Sequence, residues 1–285
     1  METVAITAND LRFSCLAWGD AGAPLVLLAH GFPDTPHTWD HLGPALARAG
    51  YRVVAPFLRG YAPTEAPRVD TTVLTLAEDL AALVPALGAT RAHLVGHDWG
   101  AEGAYGAVGI APTRFDTLTT IAIPHRARLR PSPRIAWGLR HFVELTLPGA
   151  EARFARDDFA QLEALLRRWS PTWRYTDDDL APIRACFRAP GTVHAALGYY
   201  RASRVRTPPC MAEPVRVPTL CVYGGDDPIV RRGDYAQTRA HFLQGMTLAE
   251  IPGGHFCHRE SPEALLPPLL AHLRAPGGLQ PARVW

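Results

Sequence analysis

The sequence contains no lysine, and its 29 basic residues are all arginine. Set against 27 acidic residues they give a formal charge of +2, which provides no electrostatic reason to expect nucleic acid or a membrane surface as a partner. No apolar run approaches the roughly 18 residues that cross a bilayer. The first residues also lack the basic and apolar regions of a signal peptide. These absences predict a cytoplasmic protein without a nucleic-acid or membrane partner.

Cysteine is scarce, and the five cysteines form an odd, scattered set without short paired spacings. This pattern argues against a disulfide framework and against a cysteine-based zinc site. His255 and His258 are three residues apart, but no third ligand accompanies them. We therefore expect no metal.

Strand-like and helix-like segments alternate along both ends of the chain. The segment PLVLLA at 24–29 is apolar throughout, which is typical of a strand covered on both faces. Between 125 and 217 only helix-like patterns occur. The alternation predicts an α/β fold with a mostly parallel, doubly wound sheet in a core domain of residues 1–124 and 218–285. The interruption predicts a helical cap inserted at 125–217.

The segment GHDWG at 96–100 lies between a predicted strand at 92–95 and a predicted helix at 99–110. Its small-x-acid-x-small form is that of a nucleophile elbow, a tight turn that lifts the middle side chain above the strand ends. The following helix N-terminus stabilises an anion there, so Asp98 is a candidate nucleophile. The alternative for so short a motif is a glycine-rich turn with a capping aspartate.

Two later motifs complete a catalytic arrangement. The segment GGDDP at 224–228 follows a predicted strand at 219–223, and GGH at 253–255 follows the last predicted strand. Nucleophile, acid and histidine then occur in the chain order of an α/β triad, and a histidine base needs an acid to fix its tautomer. Alone, Asp227 could be a turn residue and His255 a polar loop residue. Together with Asp98 they predict a triad.

The segment HGFPD at 30–34 directly follows the apolar strand at 24–29. Its glycine allows a sharp turn that can present the backbone N–H of Phe32 to the site. With the N–H of Trp99 it would form an oxyanion hole, a pair of donors for a negatively charged oxygen.

These four motifs together closely resemble the epoxide hydrolase branch of the α/β-hydrolases, and the likeness covers nearly the whole chain, including the position of the cap. The resemblance implies that Asp227 rather than Asp226 is the triad acid. It also implies that Asp98 attacks an epoxide carbon to form an ester, and that water activated by His255 hydrolyses that ester. This mechanism requires no metal and no cofactor. The expected partners are a small apolar epoxide and water.

In this family two cap tyrosines assist ring opening. The segment GYYR at 198–201 resembles the position of one and nominates Tyr200. The other usually precedes a Pro-Gly by about seven residues, and here the position before Pro148-Gly149 holds His141. An imidazole can also donate a hydrogen bond to a developing alkoxide. The alternative is an ordinary histidine on an amphipathic helix.

Aromatic residues near these positions are expected to form apolar walls of the substrate pocket, although those in the cap could equally belong to its core. The expected wall residues are Phe32, Trp99, Trp137 and Phe142.

Two other functions remain open. Haloalkane and haloacetate dehalogenases use the same aspartate nucleophile. The haloalkane type usually has asparagine at Phe32, and the haloacetate type needs arginines at positions that hold Trp99 and Glu102 here. A ligand-binding, non-catalytic relative would be favoured by a broken triad, and this triad is whole.

Overall fold

The computed structural model describes residues 1–203 and 206–274. Residues 275–285 of the predicted core domain lie outside the described residues. Eight strands form one sheet: β1 (Glu2–Ala8), β2 (Leu11–Trp18), β3 (Leu25–Ala29), β4 (Arg52–Pro56), β5 (Ala92–His97), β6 (Phe115–Ile121), β7 (Thr219–Gly224) and β8 (Met246–Ile251). Their order is β1-β2-β4-β3-β5-β6-β7-β8.

The sheet is antiparallel only where β2 pairs with β1 and with β4; the remaining five pairings are parallel. The central strands β3 and β5 are buried along their whole length, as expected for strands covered by helices on both faces. The carboxyl ends of the parallel strands therefore meet at one edge, where open α/β sheets bind ligands. The predicted α/β-hydrolase fold is confirmed.

Twelve α-helices accompany the sheet in the described part of the chain: α1 (Leu42–Arg48), α2 (Val73–Ala86), α3 (Trp99–Ile110), α4 (Pro133–Gly138), α5 (His141–Glu144), α6 (Ala150–Ala155), α7 (Ala160–Trp169), α8 (Asp177–Arg188), α9 (Thr192–Ala202), α10 (Arg232–Thr238), α11 (Cys257–Glu260) and α12 (Pro262–Arg274). No helix among the described residues is long and apolar enough to cross a membrane.

Between β6 and β7 the described residues form α4 to α9, short 3-10 turns and one isolated β-bridge at Val215. We call this region the cap; its treatment as a separate domain stays a prediction. Helix α7 begins only at Ala160, because Asp157 and Phe159 have φ values of 52° and 66°, outside the helical region. The segment GYYR at 198–201 lies on α9, which begins after Gly191 with φ 83°.

The end of cap helix α7 is bonded to the loop after β8. The N–H of His255 donates to the Trp169 carbonyl at 2.9 Å, and the N–H of Phe256 donates to Ser170 Oγ at 2.8 Å. A Cβ at Gly254 would lie 2.6 Å from the Trp169 carbonyl oxygen, so the close approach requires glycine. Cap and core are therefore held together beside the predicted catalytic histidine.

Candidate active site

Asp98 lies where β5 turns into α3, with φ 50° and ψ −119°. A non-glycine residue in the left-handed region carries backbone strain, which surrounding structure must hold in place. The flanking glycines explain how the turn closes. A Cβ at Gly96 would lie 2.4 Å from the Gly100 carbonyl oxygen, and one at Gly100 would lie 2.2 Å from the Ala29 carbonyl oxygen. The sequence motif is thus a steric requirement of this turn.

The loop after β3 supplies a backbone donor to Asp98. The N–H of Phe32 donates to Asp98 Oδ1 at 2.8 Å, and a Cβ at Gly31 would lie 2.3 Å from Asp98 Cβ. His30 holds this loop: its Nδ1 donates to the Gly31 carbonyl at 2.9 Å and its Nε2 accepts the N–H of Leu58 at 3.0 Å. The Phe32 N–H thus binds only one carboxylate oxygen of Asp98, and Oδ2 does not take part in that hydrogen bond.

The N–H of Trp99 is the second expected donor. Trp99 is the first residue of α3, where N–H groups have no partner within the helix. It follows Asp98 directly and can face an oxyanion formed on that side chain.

His255 bridges the two acids of the predicted triad. Its Nε2 lies 3.3 Å from Asp98 Oδ2, and its Nδ1 lies 3.3 Å from Asp227 Oδ2. The other oxygen of Asp227 accepts the N–H groups of Ile229 and Val230 at 2.7 and 3.1 Å. The structure thus brings together Asp98, His255 and Asp227.

The neighbouring acid, Asp226, has a different partner. Its Oδ2 accepts the N–H of Gly253 at 3.4 Å. The choice of Asp227 over Asp226 therefore agrees with the geometry of the loops after β7 and β8.

Charges on Asp98 and His255 stabilise each other. Burial by itself would raise the pKa of Asp98, but its hydrogen bond and charge interaction with His255 outweigh burial and lower it to about 2. Burial would lower the pKa of His255, but hydrogen bonds to Asp227 and Asp98 raise it to about 9. At neutral pH the resting site holds an Asp98 carboxylate beside a His255 imidazolium.

Two further histidines, which sequence reasoning did not single out for this role, lie against His255. His97 is fully buried and its Nε2 donates to the His255 carbonyl at 3.0 Å. His258 Nε2 lies 2.7 Å from Thr38 Oγ1, and its ring centroid lies 4.2 Å from that of His97. Burial lowers the pKa of both well below the usual range. They support the His255 loop without adding charge.

A cavity of about 780 Å³ opens above the triad. Asp98 and His255 line its base, and the cap supplies most of its upper wall. Its mostly apolar surface suits an apolar organic ligand. Among the expected wall residues, Trp99 and Phe142 line it.

For two of the expected wall residues the prediction is wrong, because they do not line the cavity. Trp137 is 70% exposed and lies on the outside of α4, where the guanidinium of Arg140 stacks 4.4 Å from its ring. The Phe32 side chain is fully buried, packed 5.1 Å from Tyr200 and 5.4 Å from Phe154 by ring centroids. Phe32 therefore contacts Asp98 through its backbone N–H, while its ring lies outside the cavity wall.

Tyr200 lines the cavity from α9, with its ring 5.2 Å from that of Trp99. Burial and the negative charge of Asp98 raise the pKa of Tyr200 well above its usual range, so its hydroxyl stays protonated as a donor. The neighbouring Tyr199 instead donates to the Arg59 carbonyl at 2.9 Å. The structure thus assigns different positions to the two adjacent tyrosines.

His141 also lines the cavity, but its protonation differs from the expected one. Its Nδ1 lies 3.1 Å from the Gly138 carbonyl oxygen, and a carbonyl only accepts, so Nδ1 carries the proton. Burial lowers the pKa of His141 to about 4, which keeps the ring neutral. Nε2 then has a lone pair, so it accepts a hydrogen bond rather than donating the one expected from sequence.

Glu102 is a cavity residue that lies one helical turn after Asp98. It forms a two-point ion pair with Arg126, with Nε–Oε1 and Nη2–Oε2 distances of 3.1 and 2.9 Å. Burial raises the pKa of Glu102, and Arg126 opposes that effect. The charge of this cavity arginine is thus balanced by the acid beside it.

Comparisons with known proteins identify the fold family and related sequences. The α/β hydrolase fold family model matches residues 24–262. "Epoxide hydrolase 3" of Siraitia grosvenorii is 31% identical over 261 residues, covering 80% of this chain and 81% of that protein. "AB hydrolase superfamily protein YfhM" of Bacillus subtilis is 26% identical, covering 94% of this chain and 96% of that protein.

Among solved structures, a crystal structure of an epoxide hydrolase from Vigna radiata superposes with a TM-score of 0.79 at 26% identity, covering 96% of this chain and 97% of that one. The chain belongs to the α/β-hydrolase fold family, on its epoxide hydrolase branch.

Proposed function

We propose that this protein hydrolyses an epoxide to a vicinal diol through a covalent ester on Asp98. The observation that carries the proposal is the arrangement of Asp98: one oxygen is held by the Phe32 N–H, the other faces His255, and both lie at the base of an apolar cavity beneath a protonated tyrosine. Relatives named as epoxide hydrolases support it. An epoxide and water are the proposed partners.

Ring opening is the first half-reaction. Asp98 Oδ2 attacks an epoxide carbon and displaces the ring oxygen, which becomes an alkoxide. Tyr200 contacts that oxygen as the hydrogen-bond donor, because its hydroxyl stays protonated at the cavity wall. A donor aimed at developing charge lowers the barrier more than it stabilises the bound substrate.

The alkoxide needs one proton, and His255 carries one. Once Asp98 is esterified it loses the negative charge that helped to raise the pKa of His255. The net proton transfer is then from the imidazolium to the alkoxide, with Tyr200 as the group in contact with the oxygen. His255 becomes a neutral base at the stage at which hydrolysis requires one.

Ester hydrolysis is the second half-reaction. His255, oriented by Asp227, takes a proton from water, and the water oxygen bonds to the ester carbonyl carbon. The N–H groups of Phe32 and Trp99 hold the resulting oxyanion. Collapse of this intermediate breaks the bond between the Asp98 carbonyl carbon and the ester oxygen. That oxygen takes the proton of the newly formed carboxyl group and leaves in the diol. Asp98 is again a carboxylate and His255 an imidazolium.

The dehalogenase alternatives have less support in this cavity. A haloacetate dehalogenase needs arginines beside and shortly after the nucleophile to hold the substrate carboxylate, whereas Glu102, one turn after Asp98, contributes negative charge and pairs with Arg126. At Phe32 the side chain is buried and has no polar donor for a halide. The non-catalytic alternative is disfavoured by the complete triad.

The experiment is a paired assay of the wild-type protein. Aromatic and aliphatic epoxides are tested for diol formation, while haloalkanes and haloacetate are tested for halide release. Diol formation that disappears in Asp98→Ala supports the proposal. Halide release without diol formation would assign the same nucleophile to a dehalogenase, and turnover of neither class would favour a binding protein.

A further inference from the structure

We infer that His141 Nε2 accepts a hydrogen bond from the substrate, so that the preferred substrate is an epoxide with a hydroxyl group on the carbon next to the ring. This inference rests on the proposed function and specifies its substrate class. It assigns His141 a role in specificity that differs from donation to the epoxide oxygen.

The first step is the orientation of the imidazole. Nδ1 is tied to the Gly138 carbonyl at 3.1 Å, and the ring packs among Phe142, Trp169 and Tyr200 at centroid distances of 4.9, 4.7 and 5.6 Å. These contacts fix the ring plane. The described residues provide Nε2 with no hydrogen-bond partner, and the ring lines the cavity. The lone pair of Nε2 is therefore directed to a ligand.

The second step is the pairing of His141 with Tyr200. Their rings are 5.6 Å apart, nearly perpendicular at 84°, and both line the wall above Asp98. Tyr200 supplies one donor and His141 one acceptor. An epoxide oxygen accepts and a neighbouring hydroxyl donates, so an epoxy alcohol matches the two groups in kind.

The third step is the cost of leaving the acceptor unused. The rings packed against His141 offer Nε2 no hydrogen bond in the structure, and an apolar substrate would exclude water from Nε2 without replacing its hydrogen bond. A site with a polar group that a substrate analogue cannot pair discriminates against that analogue more strongly than an apolar pocket does. We therefore expect the hydroxyl to raise kcat/KM by about tenfold or more.

The test uses phenylglycidol and its methyl ether, which differ only in the hydroxyl proton and one methyl group. Wild-type protein should favour the alcohol by about tenfold or more in kcat/KM, and His141→Phe should reduce the preference to about twofold or less. His141→Gln, whose carbonyl can accept, should recover part of it. The matched control His194→Phe changes an exposed histidine and should leave the preference unchanged.

Two results would overturn the inference. One is an equal kcat/KM for alcohol and ether in the wild-type protein. The other is an equal loss on both substrates in His141→Phe, which would mean that His141 only positions Tyr200.

A second measurement does not need turnover. In Asp98→Ala with ¹⁵N-labelled histidine, the His141 signals, assigned by their loss in the Asp98→Ala, His141→Phe double variant, should show Nδ1 protonated and Nε2 unprotonated. Adding phenylglycidol should shift Nε2 towards the hydrogen-bonded range, and the ether should not. A protonated Nε2, or equal shifts, contradicts the inference. Absence of diol formation from every epoxide contradicts the proposed function instead, while these signals still decide the role of Nε2.

Discussion

The base and the roof of the cavity are built in different ways. The base, consisting of Asp98, Asp227 and His255, stands at the ends of strands and is fixed by backbone N–H groups and short polar contacts. The roof, consisting of His141 and Tyr200, stands on cap helices α5 and α9 and is fixed mainly by packing of aromatic rings. The base is charged at neutral pH, whereas the roof is neutral.

This contrast separates two tasks. Charged groups with backbone support can make and break bonds because their geometry does not depend on the substrate. Neutral polar groups in an apolar wall form hydrogen bonds only with substrates that carry a matching group, and so decide which substrate binds. The base should therefore determine whether the reaction occurs, and the roof should determine for which epoxide.

The largest effect is expected at the base. Asp98→Ala removes the nucleophile, and kcat for diol formation should fall by about 10⁴-fold or more. Asp226→Ala is the matched control, because the Asp226 carboxylate accepts from the Gly253 N–H rather than contacting His255, and its kcat should change by about twofold or less. Steady-state kinetics with an aromatic epoxide measure both. Substantial diol formation by Asp98→Ala would remove Asp98 from the reaction.

The next effect is expected in the roof. Tyr200→Phe removes the donor that contacts the developing alkoxide, and kcat should fall by about 10²-fold to 10³-fold. Tyr199→Phe, which loses the hydrogen bond to the Arg59 carbonyl, should retain kcat within about threefold, with some loss of thermal stability. Similar kcat values for the two variants would count against Tyr200 as the donor.

A smaller effect concerns the pH dependence of folding stability, which should have opposite directions for His255 in the base and His141 in the roof. The pKa of His255 is raised from 6.5 to about 9, so its charge interactions stabilise the fold fully below pH 6.5 and lose that contribution as pH rises through 9. The pKa of His141 is lowered from 6.5 to about 4. Its neutral form therefore stabilises the fold above pH 6.5, and this contribution is lost as pH falls through 4.

Denaturant unfolding of the wild type, His255→Gln and His141→Phe across pH 4 to 9 measures these contributions. The stability advantage of the wild type over His255→Gln should shrink towards alkaline pH, and its advantage over His141→Phe should shrink towards acidic pH. The same direction in both comparisons would contradict the assigned charges.

The smallest effect is expected outside the roof. Trp137 is exposed and its indole faces Arg140, so Trp137→Ala should change KM for an apolar epoxide by about twofold or less. Phe142 lines the cavity and contacts Tyr200 with a centroid distance of 4.9 Å, so Phe142→Ala should raise KM by about fivefold to twentyfold. A larger effect from Trp137→Ala would place its side chain in the substrate path.

The base could be predicted from sequence because its chemistry depends on local backbone geometry. Glycine is required at 96 and 100 because a Cβ at either position would overlap a backbone carbonyl oxygen. The order of Asp98, Asp227 and His255 follows the order of strands in the sheet. The positions of these residues could therefore be predicted without knowledge of side-chain packing. The supporting histidines His97 and His258 were not, because their contact is formed by residues distant in the chain.

The roof could be predicted only in part. Tyr200 followed from a resemblance to related sequences, but the tautomer of His141 depends on its contact with the Gly138 carbonyl, which no sequence pattern displays. Trp137 was misplaced because α4 is only six residues long, too short for periodicity to show which face is inward. Short cap helices are determined by tertiary packing more than by their own sequence.

The most direct measurement is intact-protein mass spectrometry of His255→Gln mixed with an epoxide that the wild type converts. Without His255, Asp98 should still be esterified, with water in place of the imidazolium protonating the alkoxide, while hydrolysis of the ester is blocked. The protein mass should therefore increase by one substrate, and proteolysis should place the adduct on the peptide that contains Asp98. The absence of any adduct, or an adduct on another residue, would contradict the ester mechanism.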